Sequence, residues 1–227
     1  MRLEARDRIG LAVAFVIAGG CVAMGRWQLA RLHQRRTYNA TVRAIRARAP
    51  LNVAGSLPLD SARERRLRAR GLYDYARQRF WRPRSYEGIP GVDLITPLRL
   101  ADGAAVLVDR GWAPSPDAYH VDQEAYRESD SAEVMGIGLV APRGRGDVDP
   151  RVLRDSLPYP LLPFVLQQLP SDRLTVRPAL TRWPAPELTD GPHLSYAIQW
   201  FSFAVIAVVG SLALARKRAG EAAVTHK

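Results

Sequence analysis

The chain reads as an α+β membrane protein, with a transmembrane helix near each end flanking a small domain built on a mainly antiparallel sheet. Two observations predict it. Uncharged apolar segments lie near both ends, and between them runs a Pro- and Gly-rich stretch with short alternating strands. At 227 residues the chain can bury one core besides two spans, but hardly two full domains.

A helix rises 1.5 Å per residue, so crossing roughly 30 Å of hydrocarbon takes about 20 residues, with about 17 the lower limit. Residues 9–25, IGLAVAFVIAGGCVAMG, reach that limit with no ionisable group but the Cys21 thiol. The basic start (Arg2, Arg6, Arg8) suits a cleaved signal or an anchor alike. Trp27 at the interface level, followed by Gln28-Leu29-Ala30-Arg31-Leu32 in unbroken helical pattern, favours a retained span over 9–27 that runs on as a polar helix over 28–47. Gly19, Gly20, Ala23 and Gly25 would let another helix pack closely. Cys21 in Ala18-Gly19-Gly20-Cys21 resembles a lipoprotein cleavage site, but Ala18 stands where a larger aliphatic residue is usual, so burial in the helix is the better reading.

In the middle, residues 68–73, 92–98 and 106–110 alternate as strands, the last two joined by the turn-forming Ala101-Asp102-Gly103. Further strands are expected at 133–140 and 164–169, and helices at 115–127 and 150–156. The Pro-rich stretches 157–163 and 178–186 read as extended wrapping or linker segments. Residues 194–215, LSYAIQWFSFAVIAVVGSLALA, then make a second, longer uncharged span. Arg216-Lys217-Arg218 beyond it marks the C-terminus as cytoplasmic, while Arg26, Arg31, Arg35 and Arg36 beyond the first span argue the opposite; the positive-inside rule alone does not choose.

Composition removes several function classes. The net charge of +11 raises nucleic-acid binding, yet 31 of the 33 basic residues are Arg scattered along the chain, and no nucleic-acid-binding motif accompanies them. Such charge favours anionic headgroups and acidic partner surfaces. A single cysteine excludes an internal disulfide, a C-x-x-C pair and a thiolate zinc site. Gly136-Ile137-Gly138-Leu139-Val140-Ala141 has the spacing of a dinucleotide fingerprint, but Pro142 would break the helix such a motif opens, so it reads as a strand ending in a turn. His33, His120, His193 and His226 lie far apart, with no metal-ligand spacing and no nucleophile motif. The chain is not read as an enzyme.

Three segments remain. Gly25-Arg26-Trp27-Gln28-Leu29-Ala30-Arg31-Leu32 reads by itself as an interfacial collar. Gly88-Ile89-Pro90-Gly91, continuing through Thr96-Pro97-Leu98 to Val106-Leu107-Val108-Asp109-Arg110-Gly111-Trp112, reads as a β-hairpin closed by a Gly-Trp corner. There Gly111 bends the chain, Trp112 fills the core, and Asp109–Arg110 is surface charge. Gly191-Pro192-His193-Leu194-Ser195-Tyr196-Ala197-Ile198-Gln199-Trp200-Phe201 reads as a helix start, with Asp190 as N-cap and Pro192 in the first turn. Tyr196, Trp200 and Phe203 follow His193 at i+3, i+7 and i+10 on one face.

In this order the three segments resemble the surfeit locus protein family of cytochrome c oxidase assembly factors. That family shows a Gly-Arg-Trp-Gln-Leu-like segment after its first span and a Gly-x-Pro-Gly…Thr-Pro-Leu…Leu-Val-x-Arg-Gly-Trp core. A His-Leu-x-Tyr-Ala-x-x-Trp-Phe segment begins its second span. The resemblance runs from residue 9 to about 207, and its structural motif positions are Trp27, Gly91, Pro97, Arg110, Gly111 and Trp112. Two departures stand out: Gly191-Pro192 where members often carry Asn-Asn, and Asp109 where Asn is frequent.

The resemblance implies cytoplasmic residues 1–8, a span at 9–27, an extracytoplasmic α+β domain at 28–191, a span at 192–215 and a basic cytoplasmic tail at 216–227. The membrane would be a bacterial-type cytoplasmic (inner) membrane, or the inner mitochondrial membrane in a eukaryote. It implies an assembly factor that helps deliver haem A to the catalytic subunit of a haem–copper oxidase. His193 would be the axial ligand, with Tyr196 and Trp200 flanking the haem and no other metal bound. Partners would be the oxidase catalytic subunit, other oxidase assembly factors and membrane lipid, not nucleic acid. Two rival classes stand beside it. A stable accessory structural subunit of a membrane complex would be stoichiometric in the mature complex; a haem-modifying enzyme would need a cofactor or metal set within the spans.

Overall fold

The computed structural model describes residues 5–141, 148–171 and 178–225. Residues 1–4 and 226–227 of the expected cytoplasmic ends, His226 included, and Pro142 of the expected turn lie outside them. The chain divides into two compact units, Met1–Thr41 with Leu188–Lys227, and Val42–Glu187.

The first unit is a helix pair. Helix α1 (Ala5–Ala47) runs unbroken through the expected polar extension, and α4 (His193–Thr225) begins at the motif histidine, His193. Each contains a stretch long and apolar enough to cross a membrane. Only 22% and 11% of those stretches are buried, so Ile9, Val16, Val205 and Ile206 turn outward, as in helices that face lipid. The faces that do pack repeat every three and four residues. Ala14, Ala18, Cys21, Gly25, Gln28 and Leu32 are buried on α1; Ala197, Phe201, Ala204, Val208, Ser211 and Ala215 are buried or half-buried on α4. This 3.5-residue period is that of a left-handed helix pair. Polar pairs close its two ends and make it antiparallel: Asp7 with Arg218 (3.2 Å) and Gln28 with His193 (2.9 Å). Of the small residues expected to admit a neighbour, Gly25 does so, since a Cβ there would stand 2.7 Å from the Phe201 ring. Gly19 and Gly20 have open space instead.

The second unit is a closed sheet. Its strands are β1 (Leu51–Asn52), β2 (Arg66–Tyr73), β3 (Arg79–Tyr86), β4 (Ile89–Leu100), β5 (Ala105–Pro114), β6 (Ser131–Leu139) and β7 (Leu161–Gln168), with short helices α2 (Leu59–Ala62) and α3 (Pro150–Leu153). The order is β1-β2-β6-β7-β5-β4-β3, and β2 pairs again with β4, so five strands close into a barrel flanked by β1 and β3. Inward-pointing residues alternate as the pleat requires. Leu67, Ala69 and Tyr73, Leu98 and Leu100, Val106 and Val108, and Leu162, Phe164 and Leu166 fill the interior. Each large apolar side chain so buried contributes roughly 1.5–3 kcal/mol. Ile95, Leu107 and Val165 face outward yet are covered by Val148 and Leu153, so β5 is buried on both faces. Pro97, with no N–H to give, lies between the last β3 pair of β4 (Ile95) and its first β2 pair (Leu98).

The structure corrects three expectations of the fold and adds a strand, β3, where the sequence reading offered none. Residues 115–127 are not helical, because Asp117 draws the backbone N–H groups of Tyr119 and His120 into a side-chain-capped turn that competes with a helix. Residues 161–163 belong to β7, whose register shift against β5 accommodates Pro163. Strand β3, unreadable beneath Pro83 and its arginines, forms at the sheet edge, where a proline costs no ladder bond. The Gly-Trp corner is not a corner: β5 continues to Pro114, and Gly111 (φ +123°) lets the strand exchange β7 for Thr181, which pairs with Trp112 at 2.8 and 2.9 Å. Trp112 does fill a core position, 5% exposed, with its indole over Gly91.

Trp112→Ala is expected to cost about 3–5 kcal/mol, enough to unfold a marginal domain. Immunoblotting of membranes would show the protein depleted; normal abundance with lost function would assign Trp112 to a contact surface instead.

Candidate functional site

One site in the first unit lies where α4 begins. Gly191 takes φ +69°, and the Pro192 carbonyl accepts the first helical bond from Tyr196 (3.1 Å). Asp190, expected as the N-cap, turns its carboxylate to Arg36 of α1 (2.8 Å). The neighbouring Thr189 carbonyl accepts from Asn39 Nδ2 (3.0 Å) and Arg35 Nε (3.1 Å). These bonds fasten residues 189–190 to the polar continuation of α1.

His193 enters the same region half-buried, with Nδ1 2.9 Å from Gln28 Oε1. With the Gln28 amide oxygen as acceptor, Nδ1 is the donor of this bond, and Nε2 is the lone-pair nitrogen of the neutral ring. The imidazole lines a groove of about 420 Å³ with Arg31, Gln34, Arg35, Tyr38, Thr189, Asp190 and Gly191. One soft metal-binding nitrogen therefore shares a cleft with two guanidinium groups, a combination able to hold a metal complex that also bears acidic groups.

Of the residues singled out from sequence, only His193 lies in the groove. Tyr196 is exposed on α4 without lining it, and Trp200 packs beside Ala18, Cys21 and Ala204, edge-on to Phe203 at 6.0 Å. Trp27 is 52% exposed on α1. Gly91, Pro97, Arg110, Gly111 and Trp112 all belong to β4 and β5 of the second unit. Sequence reasoning missed Gln28, Arg31 and Arg35 as site residues. Their signal was the first motif itself, a Gln among apolar neighbours and arginines one and two turns on.

Asp109 and Arg110, expected as surface charge, are buried on opposite faces of β5. Arg110 donates to Tyr126 O (2.5 Å), Gln78 Oε1 (3.1 Å) and Glu128 (3.4 Å), and lies over the rings of Tyr73 and Tyr75. Asp109 accepts from Gly111 N (3.1 Å), while nearby Asp93 takes Arg84 Nε (2.5 Å) and Trp183 Nε1 (2.8 Å). Burial and then the Asp93 charge push the Asp109 carboxyl well above its usual range; burial raises Asp93 also, against the pull of Arg84.

The sequence model of the SURF1 family matches residues 15–205, covering both sides of the groove and the whole barrel. The chain belongs to the SURF1 family. This is a family of membrane-associated cytochrome oxidase assembly factors, not of catalysts. Among curated proteins, none matches the chain. Both departures from the SURF1 pattern have a structural reading. Gly191 sits at positive φ, where Asn is the next most comfortable residue. A protonated Asp109 has the shape and hydrogen-bonding capacity of the frequent Asn.

Because its folded pKa is raised, Asp109 contributes stability that is complete below its unfolded pKa, about 4, and is lost as pH rises through the folded value. Asp109→Asn keeps the Gly111 bond and removes that loss. Its thermal unfolding midpoint in detergent at pH 7 should rise by roughly 2–4 °C for each kcal/mol regained, with a smaller decline between pH 5 and pH 8 than wild type. An unchanged pH profile would mean that Asp109 does not hold the proton.

Proposed function

We propose that this protein holds haem A transiently at His193 and assists its placement in the catalytic subunit of a haem–copper oxidase. The observation that carries this reading is the bond from His193 Nδ1 to Gln28 Oε1 at the mouth of a cleft beside an apolar helix. It fixes the ring and leaves Nε2 free, as outer partners of metal-ligating histidines do. The iron supplies the coordination; Gln28 holds the tautomer, and the tether from Arg35, Arg36 and Asn39 to residues 189–190 keeps the start of α4 in register. Tyr196 and Trp200, at i+3 and i+7, offer ring surface where the macrocycle leaves the cleft for the bilayer. Transfer would be to the oxidase catalytic subunit, with other assembly factors and lipid as neighbours.

In this reading residues 9–27 and 192–215 span the membrane, both termini are cytoplasmic and the barrel is extracytoplasmic. The antiparallel helix pair, with Asp7 against Arg218, and the basic run Arg216-Lys217-Arg218 support it. In a Cys21→Ala background, Ser129→Cys should react with a membrane-impermeant thiol reagent on intact cells and Ala222→Cys should not; the reverse pattern overturns the orientation.

Purified from a haem-A-producing host at equal protein recovery, His193→Ala should lose the bound pigment. Gln28→Ala should keep the ligand but weaken haem affinity about 10- to 100-fold, the usual effect of removing such an outer partner. Full pigment in His193→Ala eliminates this histidine as the essential ligand.

A further inference from the structure

We infer that Arg31 and Arg35 bind the two carboxylate arms of the haem, so that the cleft reads the acid edge of the porphyrin as well as its iron. The inference rests on the haem reading above and names the substrate feature that the cleft recognises. Gln28, Arg31 and Arg35 follow one another at i, i+3 and i+7 and so share one face of α1. Gln28 fixes the level of the imidazole; the two guanidinium groups lie one and two turns farther along, beyond the apolar stretch. A porphyrin with its iron at His193 has its apolar edge towards the span and its acid edge towards these turns.

Charge accounting favours the same assignment. Asp190, the carboxylate that lines the cleft, is held by Arg36 at 2.8 Å and by Asn39 Nδ2 at 3.4 Å. Arg31 gives Nη1 to Gln34 (3.2 Å), and Arg35 gives Nε to the Thr189 carbonyl (3.1 Å) while lying over the Tyr38 ring. A guanidinium has five N–H donors, so both retain capacity for a bidentate carboxylate. Arg35, held on two sides, is already oriented for it, which lowers the ordering cost of binding. The two sites are one helical turn apart, about 5–6 Å between Cβ atoms, suiting two acid arms on one porphyrin edge.

The test uses the full-length protein in phosphatidylcholine nanodiscs, titrated with ferric protoporphyrin IX and with its dimethyl ester, and followed by the Soret band. The two probes share iron and ring, and the ester lacks both carboxylates. Wild type should bind the diacid at least about tenfold more tightly than the ester. The Arg31→Gln/Arg35→Gln double variant should bind both at the weaker affinity, with the histidine-ligated spectrum retained. Equal binding of acid and ester by wild type, a comparison that needs no variant, overturns the arginine assignment and leaves the haem reading standing. So does a preference that survives in the double variant. Absence of any His193-dependent Soret shift with either probe removes both readings. In phosphatidylglycerol nanodiscs the preference should persist; its disappearance there assigns the arginines to lipid phosphate instead.

Discussion

Arg110 places a full positive charge where no solvent reaches it, and stripping such a charge of water costs several kcal/mol unless its donors are all answered. The answers come from chain with little regular structure of its own. The Tyr126 carbonyl and Glu128 lie in the excursion between β5 and β6; Tyr75 and Gln78 lie at the 3₁₀ turn before β3. Glu128 is held a second time by Arg182 (2.6 Å), and Gln78 also takes the Thr96 hydroxyl (2.7 Å). One guanidinium therefore joins two stretches, residues 126–128 and 75–78, that neither a hydrophobic stripe nor a helix orders.

The helix pair obeys the same constraint with different residues. Its seam is apolar and small through the middle, where Gly25 admits the Phe201 ring and Cys21 packs beside Ala18 and Ala204. Within it the Ser211 hydroxyl is answered by the Val208 carbonyl of its own helix, and polar pairs join the two helices at the ends: Asp7 with Arg218, Gln28 with His193. In an apolar setting such pairs fix register more firmly than van der Waals contact alone. The bond that aligns the helices is thus also the bond that orients the imidazole, so helix pairing and the orientation of the ring are set together. Beyond it the tether of Asp190 and Thr189 to Arg36, Arg35 and Asn39 widens the seam into the cleft.

Reading the sequence succeeded where a residue's role follows from its immediate neighbours. Strands β2, β4, β5, β6 and β7 were all legible because short runs with apolar residues stand between turn signals, and α1 because its pattern runs through the span without a break. It failed where distant chain decides. The 115–127 segment has helix-like composition, yet Asp117 and the demands of Arg110 hold it as turns. Asp109–Arg110 read as surface because charged neighbours usually are; only the barrel, with β4 and β7 on either side of β5, buries them on opposite faces.

By itself the sequence determined two apolar helices, a mainly antiparallel domain between them and the family, since each of these is written in local hydropathy or in a contiguous motif. The tertiary structure alone decided that β2 meets β4 to close a barrel, that Asp109 lies near Asp93, that Arg31 and Arg35 share a cleft with His193, and that Gln28 bonds its ring. Gln28 and His193 are 165 residues apart, and periodicity reports which face of an element is apolar but not which distant face it will meet. That choice belongs to the packing of the two helices, where a buried amide and a half-buried imidazole answer each other's hydrogen bond.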